Sequence, residues 1–311
     1  MAPSNNKPIA VSLSLLASVL WAAYFPLVLY FSPDQYGVLL AMPFLFGGLP
    51  FFALTLIGSR KAARKSLGLM KTPPVILCAA LLVALQLDVI ISTKWAGAVP
   101  TSLFTLLGDI AAIPIMNFAF FGEGGARLRY PLFGSGVVVA GAGAAIVVLG
   151  GSTSHLGLSW DWLMTLPLPF LVGGYFLGVA RMTRDEPIDC MVSSVTLLAF
   201  LMSLVGGVIV LGTGPFSGPF TTSEYGLLAL IGLTTFFVAP WAFFDSSRRL
   251  TVVIPAVINA TIPIFTTFFV VWLFNWPLTT AIYVGIPLAF VGGALALCEP
   301  PSQVSTNTVR N

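Results

Sequence analysis

The sequence predicts an all-α polytopic membrane protein whose ten transmembrane helices form two inverted five-helix repeats. Composition is the first reason: 57% of the 311 residues are hydrophobic and 8% are charged, whereas a soluble domain carries about 25% charged residues. Length is the second, because the apolar residues gather in runs of about 20, enough to cross a bilayer. The third is that the two halves of the chain resemble each other.

The predicted spans follow one another with short connections, none long enough for a soluble domain. The first run is too long for the apolar region of a cleavable signal peptide, so we expect it to stay as a span. The ten spans cover residues 9–31, 36–57, 73–93, 98–121, 130–150, 161–180, 189–211, 224–245, 252–274 and 279–298.

The distribution of basic residues predicts the orientation. Cytoplasmic loops of membrane proteins carry an excess of Lys and Arg. If both termini are cytoplasmic, all but one of the 14 Lys and Arg residues fall inside, and only Lys94 falls outside. The inside set is Lys7, Arg60, Lys61, Arg64, Lys65, Lys71, Arg127, Arg129, Arg181, Arg184, Arg248, Arg249 and Arg310.

An internal repeat divides the chain. A shift of 151 residues places the segment 22–25 on 173–176, with Tyr24 on Tyr175. The same shift aligns Asp34 with Asp185, Gly134 with Gly285 and Gly141 with Gly292. Five spans per half force the second copy to enter from the opposite side, which is the inverted repeat of secondary transporters. We expect one repeat over 1–155, the second over 156–298, and a disordered cytoplasmic tail over 299–311.

Several function classes fit the composition poorly. A net charge of +3, spread along the chain, does not predict a nucleic-acid partner. The three cysteines are isolated, and His155 is the only histidine, so neither a zinc site nor a structural disulfide is expected. Membrane-embedded enzymes need clustered His, Asp or Ser or a metal site. We therefore expect no enzyme activity and no cofactor.

Four short segments resemble a known family. Ser92–Ala98 resembles the turn between its third and fourth spans, and Phe121-Gly122-Glu123 its span-closing Gly-Glu pair. Ser247–Leu250 and Ile262–Phe265 resemble the corresponding turn and the proline-containing ninth span. Together with the ten-span layout, the chain resembles the drug/metabolite transporter superfamily, in particular its EamA-type members.

This resemblance implies a secondary active transporter that rocks two five-span halves around a central site. It implies export or exchange of a small metabolite, such as an amino acid or a related amine. The chain departs from the family where Ile110 replaces the usual proline of span four, which moves to Pro114, and where Asn275-Trp276-Pro277 replaces the second Gly-Glu pair. In resembling transporters the last span of each half is peripheral, which predicts packing or homodimer contact there.

Asp109 and Asp88 are the two acids deep within predicted spans, and we expect them to bind substrate and to couple transport to a proton or cation. Intramembrane carboxylates usually face a cavity and serve function. For Asp109 the alternative is a structural acid satisfied by neighbouring hydroxyl groups or a helix N-terminus. For Asp88 the alternatives are a partner at Lys94 or a position facing the outer vestibule.

Lys94 and Asp245 are candidate gates at opposite ends of the bundle. Lys94 would otherwise only extend its amine to the membrane surface. Asp245 would otherwise only pair with Arg249, four residues on along a helix. Trp241, one turn before Asp245, is a candidate substrate-binding residue.

The remaining candidates for substrate binding are polar or aromatic residues within spans. Buried Tyr and Trp side chains need a hydrogen-bond partner, which a substrate could supply, although core packing is the competing explanation. Asn259 and Thr261 precede Pro263, so they either satisfy the carbonyl that the proline frees or bind the ligand. This set comprises Trp21, Tyr24, Gln86, Tyr175, Asn259 and Thr261.

The sequence therefore predicts a transporter with a small-molecule substrate and the lipid bilayer as its partners. An exchanger of nucleotide-linked or phosphorylated metabolites is the second hypothesis, weakened because such ligands want Lys or Arg inside the cavity. We expect the protein in the plasma or inner membrane, with both termini in the cytoplasm.

Overall fold

The computed structural model describes residues 7–150, 160–216, 218–250, 255 and 258–298. Within these residues every regular element is a helix. His155, Arg310 and the tail predicted over 299–311 lie outside the described residues. The prediction of an all-helical membrane protein agrees with this architecture.

Twelve helices are labelled here in chain order. They are α1 Lys7–Val28, α2 Tyr36–Gly58, α3 Arg60–Leu69, α4 Pro73–Trp95, α5 Ala98–Phe121, α6 Gly125–Leu128, α7 Pro131–Gly150, α8 Leu168–Asp185, α9 Ile188–Leu211, α10 Thr222–Arg249, α11 Ile262–Phe274 and α12 Thr280–Leu297. All but α3, α6 and α11 correspond to the nine candidate membrane spans of the described chain.

The ninth predicted span, residues 252–274, is the one that differs. Its apolar helix α11 has 13 residues, shorter than the length of about 20 that crosses a bilayer. Residues 251–254 and 256–257, which precede it, lie outside the described part. Nine spans therefore stand on length and composition, and a tenth is a proposal taken up below.

The helix ends follow from local chemistry. Pro73 occupies the first turn of α4, where its missing N–H would have no partner anyway. Thr221 and Glu224 form a capping box before α10. Gly122 ends α5 with a φ of 68° and Asn275 ends α11 with a φ of 51°. Because Asn tolerates the left-handed region better than most residues, Asn275 can replace the glycine that closes the equivalent span.

Contacts between the first and second five long helices build the bundle. Across the two halves, α1 packs on α10 and α11, α2 on α9 and α10, α4 on α8 and α9, α5 on α8, α11 and α12, and α7 on α12. Apart from the α5–α12 contact, this set of pairs is unchanged when α1, α2, α4, α5 and α7 are exchanged, in order, for α8, α9, α10, α11 and α12. Each half therefore buries apolar surface against the other.

Small residues bring α7 and α12 into backbone contact. A Cβ atom on Gly136 would lie 2.3 Å from the Ala296 nitrogen, and one on Gly143 would lie 2.5 Å from the Gly285 oxygen. Because the later residue of α7 meets the earlier residue of α12, the two helices are antiparallel. Glycine permits this approach, as in other membrane helix pairs. Gly141 faces open space instead.

We expect Gly292→Ala to destabilise the protein. Its new Cβ would lie 2.2 Å from the Ala140 nitrogen, so the two backbones must separate, at a cost of about 1–3 kcal/mol. The measurement is the thermal unfolding midpoint of the detergent-purified protein. Gly141→Ala is the control, because its Cβ meets nothing within 4 Å; equal midpoints for the two variants would contradict the packing.

Candidate functional site

A cavity lies between the two halves of the bundle. Its walls come from α1, α4, α5, α8 and α10, from the first residue of α11 and from Asn259, just before that helix. Its volume, including the space at its open side, is about 730 Å³. The lining residues are Trp21, Tyr24, Phe25, Leu82, Leu85, Gln86, Val89, Thr105, Asp109, Val172, Tyr175, Phe176, Thr235, Phe236, Pro240, Asn259 and Ile262.

Asp109 lies in a π-helical stretch of α5, Gly108–Ala112. Such stretches insert an extra residue into a helix and often occur at functional sites. Gly108 allows the close approach of α8, because a Cβ there would lie 2.7 Å from the Cβ of Val172. The π turn thus places the Asp109 carboxyl against the cavity at a point where two helices nearly touch.

A short chain of polar side chains surrounds this carboxyl group. The Ser18 hydroxyl donates to the Oδ1 atom of Asn259 at 2.9 Å, and the Asn259 side chain lines the cavity near Asp109. Because Oδ1 accepts from Ser18, the Asn259 amide N–H group is the one that can donate toward Asp109. Asp109 is 5% exposed and forms none of the ion pairs found among the described residues.

The opposite wall joins tyrosine, glutamine and tryptophan. Gln86 Nε2 donates a hydrogen bond to the Tyr24 hydroxyl. Trp21 Nε1 donates to the backbone oxygen of Thr235 at 3.2 Å. The Trp21 ring centroid lies 5.3 Å from that of Phe176, in an edge-on arrangement. These contacts hold the aromatic rings as a fixed surface.

Thr235 is a lining residue that sequence reasoning missed. It lies in a second π-helical stretch, Gly232–Val238, is 5% exposed, and its hydroxyl has no hydrogen-bond partner. The neighbouring Thr234 behaves as threonine usually does in a helix and donates to the Leu230 carbonyl oxygen at 2.7 Å. Thr235 therefore presents a buried hydroxyl group that water or a ligand in the cavity can satisfy.

The spacing of the lining residues is ordinary except at Thr235. On α1, α4 and α8 the cavity side chains recur every three or four residues, the ordinary period of a helix face. On α10 the lining residues Phe236 and Pro240 are also four residues apart, whereas Thr235 lies five before Pro240 and within the π-helical stretch. Thr235 is therefore the lining residue of α10 that falls outside the ordinary period.

The structure places six of the nine predicted substrate-binding residues on the cavity wall: Trp21, Tyr24, Gln86, Asp109, Tyr175 and Asn259. The other three do not line it. Asp88 is half-buried on α4 and its Oδ2 atom has no hydrogen-bond partner, Trp241 is exposed, and Thr261 donates to the Ile258 oxygen at 2.6 Å. This is a local bond to the backbone three residues earlier, and it does not reach the Asn259 carbonyl that Pro263 frees. The functional roles stay predictions.

Lys94 is bonded at the end of α1 and not to Asp88. Its Nζ atom donates to the Leu29 oxygen at 3.1 Å and to the Phe31 oxygen. It also lies 5.5 Å from the centre of the Tyr36 ring. These carbonyl groups follow the last turn of α1, where a cation is favourable. The amine thus ties α4 to α1, and a role as a gate stays a prediction.

Asp245 forms the local ion pair that its spacing suggests. The Arg249 Nη2 atom lies 2.7 Å from Asp245 Oδ2. The neighbouring Arg248 donates from Nη2 to the backbone oxygens of Thr183, at 2.7 Å, and Glu186, at 2.8 Å. Arg248 thus joins α10 to the end of α8, and the gate role of Asp245 stays a prediction.

Metal-ligating groups do not gather in the described part of the chain. No three His, Cys, Asp or Glu side chains there could hold one ion. Cys78 and Cys190 are buried, Cys298 is exposed, and all three are free thiols. The cavity lining contains one carboxyl group and no Lys, Arg, His or Cys.

Comparison with known proteins gives a structural match without a named family. No family model matches the chain, and no curated protein matches it. A solved structure described as "Crystal structure of protein" superposes with a TM-score of 0.66 at 17% identity. The match covers 97% of this chain and 99% of that chain. At this identity the likeness establishes the fold alone.

We expect Lys94→Met to lower the free energy of unfolding by about 1–3 kcal/mol, because two carbonyl groups lose a charged donor. The measurement is the thermal unfolding midpoint in detergent. Lys71→Met is the control, since the Lys71 side chain is exposed and forms no hydrogen bond or ion pair with the described residues. A loss no larger than that of the control would contradict the structural role of Lys94.

Proposed function

We propose that the protein is a secondary active transporter for a small metabolite that carries an ammonium group, such as an amino acid or a related amine. Substrate and proton compete for the Asp109 carboxylate, and the two five-helix halves rock around the cavity to give alternating access. The proposal includes a tenth span formed by α11 with the residues before it. It also includes the EamA-type drug/metabolite transporter likeness and a place in the cell membrane with cytoplasmic termini.

The observation that carries this proposal is that Asp109 is a buried carboxyl group in the cavity wall and forms none of the described ion pairs. A charged side chain at the centre of a membrane helix costs about 2.5–3.5 kcal/mol on insertion scales. One amide donor, that of Asn259, can compensate only part of that cost. A proton or a cationic ligand would supply the rest. Such a group in the wall of a cavity between two halves is the arrangement that a coupled carrier requires.

The lining favours a cation over an anion. Trp21, Tyr24, Phe176 and Phe236 present aromatic surface, and the faces of such rings attract ammonium groups. Phosphorylated or nucleotide-linked metabolites need Arg or Lys donors, which the described lining lacks. The exchanger hypothesis is therefore the weaker one, and nothing in this lining favours an enzyme.

Two features of the packing support inverted repeats. The helix pairs between the halves, apart from α5–α12, are preserved when the halves are exchanged, and the equivalent helices α7 and α12 run antiparallel. The terminal cations repeat as well: Lys94 bonds the Leu29 carbonyl and Arg248 bonds the Thr183 carbonyl. Both members of the second pair lie 154 positions after those of the first.

The test uses cations paired with neutral compounds of similar shape: choline with 3,3-dimethylbutanol, and tyramine with tyrosol. We expect at least one cation, and neither neutral partner, to stabilise the purified protein and to show saturable counterflow in proteoliposomes. Asp109→Asn keeps the shape and removes the charge. It should lower cation affinity by at least about tenfold, or about 1.4 kcal/mol. Acidic pH should weaken cation binding by the wild type, because protons then occupy Asp109, and this pH dependence should be lost in Asp109→Asn.

Asp88→Asn is the matched control, because Asp88 is the other acid deep within the predicted spans and does not line the cavity. It should leave affinity and pH dependence near those of the wild type. Stabilisation by UMP or glucose 6-phosphate instead would favour the exchanger. Unchanged cation affinity in Asp109→Asn would remove the coupling role.

We expect Thr235→Val to separate ligand binding from stability. Removing a buried hydroxyl that has no partner should leave the unfolding midpoint unchanged or higher, while a bond to the ligand would be lost. Affinity for the cation found above should fall about tenfold. Thr234→Val is the control, because that hydroxyl is bonded within its own helix; equal affinities for the two variants would contradict a ligand contact at Thr235.

A further inference from the structure

Helix α3 carries a concentration of positive charge at the end of α2. Arg60, Lys61, Arg64 and Lys65 lie within its ten residues, and Lys71 follows two residues after its end. All five are exposed. The Ser59 hydroxyl accepts from the Ala62 N–H at 3.0 Å and starts the helix directly after α2. The charges are thus presented by a defined helix at one end of the bundle.

Buried serines fix α3 on the second half. The Ser66 hydroxyl lies 2.6 Å from the Ser193 hydroxyl and 3.0 Å from the Ser194 hydroxyl, both on α9. The Ser194 hydroxyl also donates to the Ser66 backbone oxygen at 2.9 Å. Ala63, one turn earlier, is buried on the same side. The orientation of α3 about its own axis is therefore set by its contact with α9.

One cation of α3 is used in this docking and three are not. Lys65 Nζ lies 2.5 Å from Glu186 Oε2. No side-chain hydrogen bond or ion pair is formed within the described chain by Arg60, Lys61 or Arg64. At about 100° per residue these three project within one face, roughly opposite Ser66. We call Arg60, Lys61 and Arg64 the α3 basic patch.

Exposed apolar residues lie beside this patch. Leu56 is 51% exposed and Ile57 is 82% exposed at the end of α2, and Leu67 of α3 is 49% exposed. In a membrane-spanning chain such residues lie against acyl chains, so the patch lies where the headgroups begin. A basic cluster directly after a transmembrane helix is the arrangement that binds acidic lipids. A soluble anion would make no use of the adjoining apolar residues.

We propose that the α3 basic patch is a binding site for the headgroups of anionic phospholipids. The phosphate group takes the Arg and Lys donors, and the acyl chains lie along Leu56, Ile57 and Leu67. Because α3 belongs to the first half and is docked on the second, a bound lipid contacts the point where the two halves join. This site is separate from the central cavity and does not depend on what the cavity binds.

The test measures lipid binding to the full chain purified in detergent. Native mass spectrometry compares dioleoyl phosphatidylglycerol with dioleoyl phosphatidylcholine. We expect the wild type to prefer phosphatidylglycerol, and Lys61→Gln with Arg64→Gln to weaken its binding by about fivefold for each cation removed. Lys7→Gln with Arg129→Gln is the control, since both residues are exposed and the net charge changes equally. Its binding should match the wild type.

Arg60→Gln with Lys61→Gln is a second pair that should reproduce the loss, and unfolding midpoints verify that every variant is folded. A wild type without preference, or an equal loss in the control pair, would overturn the proposal. Displacement of the lipid by millimolar glycerol 3-phosphate would also overturn it, because the site would then hold a free phosphate.

Discussion

The absence of hydrogen-bonding solvent in the hydrocarbon core is the constraint on which this structure depends. Every polar group there must find a partner in the protein or face a cavity. The hydroxyl of Ser18 and the amide of Asn259 satisfy each other, and the amide N–H group can then donate toward Asp109. The Asp109 charge and the Thr235 hydroxyl are left without full compensation. Both lie on the wall of the same cavity, where a solute could satisfy them. Asp88, Thr93 and Ser203 also carry a buried oxygen without a partner, but they do not line the cavity.

The two π-helical stretches and the close helix contacts beside them have a shared effect. Gly108 brings α5 against α8, and Gly232 brings α10 so near α2 that a Cβ would lie 2.4 Å from the Phe46 Cβ. Helices packed this closely leave little freedom to rotate. Asp109 and Thr235 lie within these π-helical stretches and line the cavity beside the close helix contacts.

The sequence predicted much of the architecture because lipid imposes a simple rule of length and polarity. The limits of eight long helices agree with the predicted spans to within four residues, whereas α8 begins seven residues after the start of its predicted span. Asp109 was identified because a charged acid is costly in lipid. Gln86 and Asp88 lie two residues apart on one helix and so face different ways, which explains why only Gln86 lines the cavity. No helix is predicted between residues 57 and 73, where the structure forms α3, because the position of this helix is set by its docking on α9. Nothing in the sequence distinguishes Thr235 as a site residue, because a single threonine in an apolar run is common. That its hydroxyl group has no hydrogen-bond partner is visible only in the structure.

The contact of α7 with α12 restricts how the bundle can change shape. Their backbones meet at Gly136 and Gly143 with no side chain between them, so sliding one past the other would drive alanine methyl groups into the opposing main chain. The pair therefore behaves as a single strut, and a rearrangement that opens the cavity must be taken up by bending or tilting of the eight other long helices around it.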